Sequence, residues 1–460
     1  MEEPRQSKVS TRALKPGLCN KCKVAKPSVV VKRAEFCSSC FIGSVAHRFR
    51  GNLAKSTLPD NSKLMLAFSG GPCSRAMLHT MASYCQLDPD NPRKKRRFPD
   101  FCVCYVDQSS LFPDHVSEIS KIKSIVESYH RELHIVKLED VFDEHNATIL
   151  NRDVATMETG QMIQKSLELM QQDSKFPLDK KSLLSDALTK LPSMTTKEDL
   201  LRFYTLHLLT SEARKHGCTG LVLGDSSTAI AIRVIANTSK GRGLSLPADI
   251  GDSDWHRDVH LLRPMRDILS KEIGIFNHLC KLETVAHTSF ATLLPTKTSI
   301  DRLSQDFIVG LEQDFPATVS TIARTAFKIN TDHMTKKICP LCEGPVDNID
   351  YFASIDSLVQ APAVSCKPIG GDATECCSST QTQSKCCQGA GSTASQLDIY
   401  HLLCYACRNI AHDISKPQQS NTSMQTTVLP GYVMRNSSQR LSRESMKAQI
   451  SDYLIDDDDL

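Results

Sequence analysis

Lys63-Leu-Met-Leu-Ala-Phe-Ser-Gly-Gly-Pro-Cys-Ser-Arg-Ala-Met-Leu78 is the stretch from which the rest of the chain is read. An apolar run, Leu64 to Phe68, stops at Ser69-Gly70-Gly71, and a helical pattern follows from Ser74. Strand, glycine turn and helix is the geometry in which backbone N–H groups converge on an anion at a helix N-terminus. The two glycines admit positive φ and close backbone approach, and the hydroxyls of Ser69 and Ser74 add donors. No Gly-Lys-Ser/Thr ending follows, which excludes the Walker type of phosphate loop. A strand-to-helix turn with glycines placed only for steric reasons is the plainer reading of the same residues.

Outward from this turn, apolar strand patterns alternate with helical ones. Strands are expected over 64–68, 101–106, about 132–138, 220–223 and about 259–262. Helices are expected from 74, over 116–129, 198–216, around 230–235, from 263 to about 280, and over 299–314 and 317–328. That alternation predicts an α/β domain, a doubly wound parallel sheet, over 60–335 with a helical insertion at 140–200. Cys102 and Cys104 share one face of the second strand and read as packing, as does Cys218.

Four CxxC pairs flank this domain. Cys19-Asn-Lys-Cys22 and Cys37-Ser-Ser-Cys40 are separated by 14 residues that alternate well enough for a short hairpin. Cys339-Pro-Leu-Cys342 and Cys404-Tyr-Ala-Cys407 are separated by 61. Each set of four thiolates can close a tetrahedral Zn²⁺ site, giving zinc ribbons at 16–55 and 336–412. The second ribbon carries a Ser/Thr/Gln/Gly-rich insertion at 359–393, expected to be disordered, which closure entropy tolerates because it grows slowly with length. Cys366, Cys376, Cys377, Cys386 and Cys387 inside it read as incidental. Residues 1–15 read as a disordered leader and 413–460 as a tail, its acidic end at 455–460 solvated.

The 460 residues include 19 cysteines and carry a net charge of +3. No run approaches the ~18 apolar residues of a membrane span, and MEEPRQSKVS has no apolar stretch, so an intracellular, cytoplasmic protein without membrane attachment is expected. In such a compartment these cysteines point to metal or thiol chemistry rather than disulfides. Residues 1–55 hold twelve Lys and Arg against three acids, leaving the remainder net negative by 6. That asymmetry points to a polyanion contact at the N-terminal end, with Arg48 and Arg50 as the candidate residues, for tRNA if the resemblance given below holds. The run Arg93 to Arg97 reads as a solvated loop, with RNA phosphate contact or a nuclear signal as alternatives.

The glycine turn resembles the SGGxDS loop of the PP-loop ATP pyrophosphatases (adenine nucleotide alpha hydrolase-like proteins), with Cys73 at the acidic position. Around it, in order, stand Gly224-Asp-Ser-Ser-Thr-Ala-Ile-Ala-Ile-Arg233, Lys240-Gly-Arg-Gly-Leu-Ser-Leu-Pro247, Arg263-Pro-Met-Arg266 and Phe315-Pro-Ala-Thr-Val-Ser-Thr-Ile-Ala-Arg-Thr-Ala-Phe-Lys328. With the zinc pairs at both ends, residues 15–410 resemble the cytoplasmic tRNA 2-thiolation protein 2 family. The resemblance implies a heterodimer with the related thiouridylase subunit 1. It also implies 2-thiolation of uridine 34 in Lys, Glu and Gln tRNAs, with sulfur from the thiocarboxylated ubiquitin-related modifier. Such chemistry needs a phosphate cradle, carboxylates that hold Mg²⁺ against ATP, and a thiol that delivers sulfur as the adenylated uridine loses AMP.

Carried over by position, much of that apparatus is missing. The nucleotide-binding loop is Ser69, Gly70, Gly71 and Ser74, but the acidic pair after the fourth strand falls at Thr228 and Ala229, with Asp225 three positions away. The helix at 198–216 lacks the cysteine pair of the sister subunit. No catalytic residue is therefore assigned, and ATP with Mg²⁺ loses its metal carboxylates. The expected role is a catalytically degenerate, tRNA-binding partner subunit. A self-sufficient ATP-dependent tRNA sulfurtransferase using Cys73 or another thiol, and a zinc-ribbon RNA-binding adaptor, are the alternatives.

Overall fold

A computed structural model of the chain describes residues 17–31, 34–86, 96–143, 179–189, 191–252, 258–286, 289–290, 295, 297–329, 337–346, 402–415 and 430–450. The hairpin expected between the first two cysteine pairs forms as β1 (Val29–Val31) against antiparallel β2 (Ala34–Phe36). It leads into α1 (Ser38–Ala54), which buries Phe41, Val45, Phe49 and Leu53 at a four-residue spacing that keeps them on one face.

The alternating region then builds one all-parallel sheet. Its strands are β3 (Leu64–Ala67), β4 (Phe101–Asp107), β5 (Leu133–Lys137), β6 (Gly220–Val222) and β7 (His260–Leu262), in the order β5-β4-β3-β6-β7. Leu64 pairs in register with Phe101 on one side and Gly220 on the other. β4 is buried along all seven residues, as a parallel strand covered on both faces must be. The pleat sends Leu64 and Leu66 into one apolar layer and Met65 into the other. The first layer includes α1, α2 (Pro72–Cys85), α3 (Val116–Glu127) and α8 (Ser270–Leu279). The second includes α4 (Lys180–Thr189), α5 (Met194–Lys215) and the C-terminal cysteine module. α6 (Ser227–Ser239), α7 (Leu246–Ile250), α9 (Ile300–Asp314) and α10 (Pro316–Ala326) pack together beside the sheet through Ile230, Ala231, Ile308 and Val319. The doubly wound expectation holds. Strand order reverses between β3 and β6, and in such sheets the crevice beyond the strand C-termini at that switch is where ligands bind.

Two differences from the sequence reading have physical causes. The helix expected from Arg263 begins only at Ser270, because 263–269 is a turn that buries Met265 and Ile268. Glu272 then caps the helix, accepting the N–H of Leu269 at 2.8 Å. The segment read as a tail contains the end of α11 (Tyr405–Ser415) and all of α12 (Gly431–Ile450), whose Tyr432 and Val433 are buried. Tyr432 stacks on His207 of α5 with ring centroids 3.8 Å apart and donates its hydroxyl to the Leu341 carbonyl at 2.8 Å. One aromatic residue thus docks a helix that the polar composition of the segment does not announce. Most of the helical insertion, residues 93–95 of the basic run, the leader, the insertion at 359–393 with its cysteines, and 455–460 lie outside the described residues.

Tyr432→Ala should cost about 3–5 kcal/mol through lost burial, and Tyr432→Phe about 1 kcal/mol through the lost hydrogen bond. Hydrogen exchange across 337–346 and 402–415 reports this, and unchanged protection in Tyr432→Ala would show that α12 does not hold the module.

Candidate functional site

The glycine turn connects β3 to α2 at the switch point. Gly70 takes φ of +80°, the left-handed region that favours glycine, and Gly71 caps α2 ahead of Pro72 in the first turn. Ser74 Oγ donates to the Gly71 carbonyl at 3.0 Å and lies 3.2 Å from Ser69 Oγ. The loop after β6 passes close by, since a Cβ on Gly224 would stand 3.3 Å from the Ser74 backbone nitrogen. Between these loops opens a cavity of about 700 Å³, lined among others by Ser69, Ser74, Tyr105, Arg202 and Asp225. Ser69 and Ser74 of the expected cradle line the crevice, and Gly70 and Gly71 form the turn between them.

Asp225, the acid of this crevice that stands nearest in sequence to the expected pair, is engaged by two arginines. Asp225 accepts a two-pronged contact from Arg233, at 2.8 and 3.0 Å, and a third bond from Arg263 Nε at 2.9 Å. Burial opposes its ionisation, but the guanidinium groups of Arg233 and Arg263 override this and hold the carboxyl well below the usual range. Both of its oxygens are thereby committed to guanidinium groups. Thr228 is turned to structural use: its hydroxyl donates to Glu312 Oε2 at 2.6 Å and accepts the N–H of Ser270 at 3.0 Å. Ala229 only lines the cavity wall. Burial pushes the Cys73 thiol up to about 11; a hydrogen bond with Ser226 opposes that rise, and the charge of Asp225 adds to it. At neutral pH it is a thiol and a poor nucleophile, although it sits in the first turn of a helix.

Cys102 and Cys218 are 2% and 3% exposed, with their sulfurs 3.5 Å apart inside the core, consistent with packing. The clamp on Asp225 was not legible as such. Arg233 and Arg263 stand in the quoted motifs, but pairings across 8 and 38 residues leave no periodic trace.

The eight CxxC cysteines converge as two tetrads, Cys19, Cys22, Cys37 and Cys40, and Cys339, Cys342, Cys404 and Cys407. In each, the four sulfurs lie within 4.8 Å of one another. A tetrahedral ion with four sulfurs at about 2.3 Å needs sulfur pairs about 3.8 Å apart. Cys22 and Cys37 are at 3.9 Å, and Cys342 and Cys404 at 3.7 Å. The two knuckles share one backbone turn. Lys23 and Glu343 have φ of +60° and +55° and donate their N–H groups to the carbonyls of Cys19 and Cys339 at 2.8 and 2.9 Å. Burial opposes ionisation of Cys19, but N–H groups of Cys22, Cys37 and Lys21 bring its thiol down to about 6, toward the thiolate that ligates. Both tetrads fit a metal ion.

The Lys240-Gly-Arg-Gly243 loop joins the C-terminal tetrad to the sheet domain. Arg242 forks onto Asp249 at 2.9 and 3.0 Å and points its other terminal nitrogen at Cys404 Sγ, 3.9 Å away. A buried guanidinium is thereby placed against a site that carries net negative charge when four thiolates hold a divalent ion. Gly241 is required twice, by φ of +75° and because a Cβ would stand 2.7 Å from the Tyr405 ring.

The two candidate tRNA-binding residues differ in their surroundings. Arg48 makes paired contacts with Glu272 at 3.0 Å and donates to the Asp267 carbonyl at 3.1 Å, so it fastens α1 to α8. Arg50 is exposed. Arg97, at the end of the basic run, donates to Asp60 at 3.0 Å and to the Ala54 carbonyl at 2.7 Å.

Peptide-resolved alkylation should show Cys73 reacting slowly at pH 8 and its rate rising only as pH approaches 11; a rise near pH 8 would contradict its burial. Arg242→Met should weaken metal retention at the C-terminal tetrad by about 10- to 100-fold, the scale of outer-shell losses, and leave the N-terminal tetrad unchanged. Chelator competition read with a chromophoric zinc indicator measures both, and equal release from wild type and variant would remove Arg242 from that role.

A family model described as cytoplasmic tRNA 2-thiolation protein 2 matches residues 299–409. The chain is 30% identical over 516 residues to cytoplasmic tRNA 2-thiolation protein 2 of Homo sapiens, covering 100% of this chain and 96% of that protein. It is 29% identical over 487 residues to the Danio rerio protein of the same name, covering 96% and 94%. Among solved structures, the U34-tRNA thiolase NcsA from Methanococcus maripaludis aligns at 17% identity and a TM-score of 0.47, over 70% of this chain and 90% of that one. The full-length likeness, carried by a chain with both tetrads and the glycine turn in place, makes this protein a member of the cytoplasmic tRNA 2-thiolation protein 2 family.

Proposed function

We propose that this chain is a cytoplasmic subunit needed for 2-thiolation of wobble uridine 34 in Lys, Glu and Gln tRNAs, and that it works as the non-catalytic partner of a related thiouridylase subunit. The observation that carries the reading is the state of the crevice. The cradle of Ser69, Gly70, Gly71 and Ser74 is intact, while Asp225 is consumed by Arg233 and Arg263 and Cys73 is held as a thiol. Adenylation needs free carboxylates to place Mg²⁺ on the phosphates, and sulfur transfer needs a thiolate or persulfide. Both are supplied by the sister subunit in this reading, with sulfur arriving from the thiocarboxylated ubiquitin-related modifier. The cradle here serves as a fold element.

Both tetrads hold structural Zn²⁺ in this reading. Sulfur spacing near that of a single tetrahedral ion supports it, as does the absence of any other ligand type among the eight donors. tRNA is recognised through phosphate charge at the N-terminal ribbon, where Lys21, Lys23 and Arg50 are exposed.

Thiouridine content of total tRNA tests the role. Cells lacking this chain should lose the thiolated wobble base, and both wild type and Cys73→Ala should restore it when the sister subunit is present. Unchanged thiouridine without the chain would end the proposal, and thiolation by the purified chain alone would replace it with the self-sufficient enzyme. Lys23→Glu with Arg50→Glu should weaken tRNA binding and lower the slope of log affinity against log salt by about 1 for each phosphate no longer neutralised. An unchanged slope would move the tRNA contact elsewhere, whereas Arg48→Glu should act on stability because its partner Glu272 is internal.

A further inference from the structure

At the end of the sheet opposite the glycine turn lies a cluster outside both tetrads and the crevice. β5 is an edge strand, and its His134 stands in register with Cys104 of β4. α5 ends above it, presenting Glu212 and, at its C-terminal cap, His216 one turn later on the same face. One donor atom from each of His134, Glu212 and His216 falls within 4.8 Å of the other two. The Glu212 carboxylate is 10% exposed, with Oε1 2.9 Å from His216 Nε2 and Oε2 3.4 Å from Lys215 Nζ. His134 is 11% exposed, and its Nε2 makes no hydrogen bond, Glu132 Oε1 standing 3.6 Å away. The two imidazoles stack with centroids 3.7 Å apart.

We propose that His134, Glu212 and His216 form a third metal site, for a borderline divalent transition ion such as Zn²⁺. Two imidazoles and one carboxylate are a three-ligand set that leaves a fourth position to water, whereas Mg²⁺ and Ca²⁺ demand more oxygens than this cluster offers. The cluster lies at the C-terminus of α5, where the helix dipole favours a cation, and Lys63 Nζ donates to the His216 carbonyl at 3.3 Å. Ligand atoms around a tetrahedral ion at about 2.1 Å lie about 3.4 Å apart, between the 2.9 Å of the Glu212–His216 pair and the 4.8 Å within which all three donors fall, and the His216 side chain is 26% exposed. An ion here also gives the unpartnered His134 nitrogen its ligand.

The full-length protein, loaded with excess Zn²⁺ and desalted, is compared by elemental analysis with a His134→Ala, His216→Ala double variant and, separately, with Glu212→Gln, which preserves side-chain size. The wild type should hold one more Zn²⁺ per chain than either variant while far-UV circular dichroism stays the same. Co²⁺ bound at this site should add a visible d–d band without a near-ultraviolet thiolate charge-transfer band, and the variants should lack it. Equal zinc content in wild type and Glu212→Gln, or a cobalt spectrum of thiolate character only, overturns the proposal. Because the readout is a difference between proteins that share both tetrads, it is independent of what the tetrads bind.

Discussion

A single buried carboxylate, Asp225, organises the switch point of the sheet. It sits just beyond β6, takes a forked contact from Arg233 on α6 and a third bond from Arg263 beyond β7. Arg263 extends the network to the Asp249 carbonyl at 2.9 Å and, through its backbone N–H, to Asp252 at 2.8 Å. Removing one member of such a buried ionic set leaves an uncompensated charge, at a cost of about 3–5 kcal/mol. The network therefore fixes the loops that wall the crevice, and it does so with an acidic group that lines it.

The same use of polar side chains as ties between elements recurs around the crevice. Thr228 ties α6 to α9 and α8 through Glu312 and the Ser270 N–H. Arg242 links the sheet domain to the C-terminal tetrad, and Arg48 links the N-terminal helix to α8. Each tetrad is in this way fastened to the sheet by an arginine that crosses from one part of the chain to another. These charges are folded inward, and Lys21, Lys23 and Arg50 of the N-terminal ribbon are exposed.

How much of this could be read from the sequence follows from how local each feature is. β3 and the glycine turn are encoded by neighbouring residues, and the sequence reading of 64–68 with a helix to follow misses the observed bounds by only a residue or two. The cysteine pairs were legible because their spacing is itself the geometry of a knuckle; the tetrads then needed only the fold to bring pairs 14 and 61 residues apart together. The Asp225 clamp was not legible, since a lone Asp and two distant Arg have no pattern until β6 and β7 lie side by side. Nor was α12, whose polar composition hides one docking tyrosine, or the cluster of His134, Glu212 and His216, which needs a strand edge and a helix end from different parts of the chain.

If Asp225 is a structural anion, the isolated chain has the form of a nucleotide cradle without its chemistry. ATP–pyrophosphate exchange tests this most directly. The purified chain, saturated with Mg²⁺, ATP and tRNA, should show no exchange above background, and exchange should appear on addition of the sister subunit. Exchange by the chain alone, abolished by Asp225→Asn, would contradict the account.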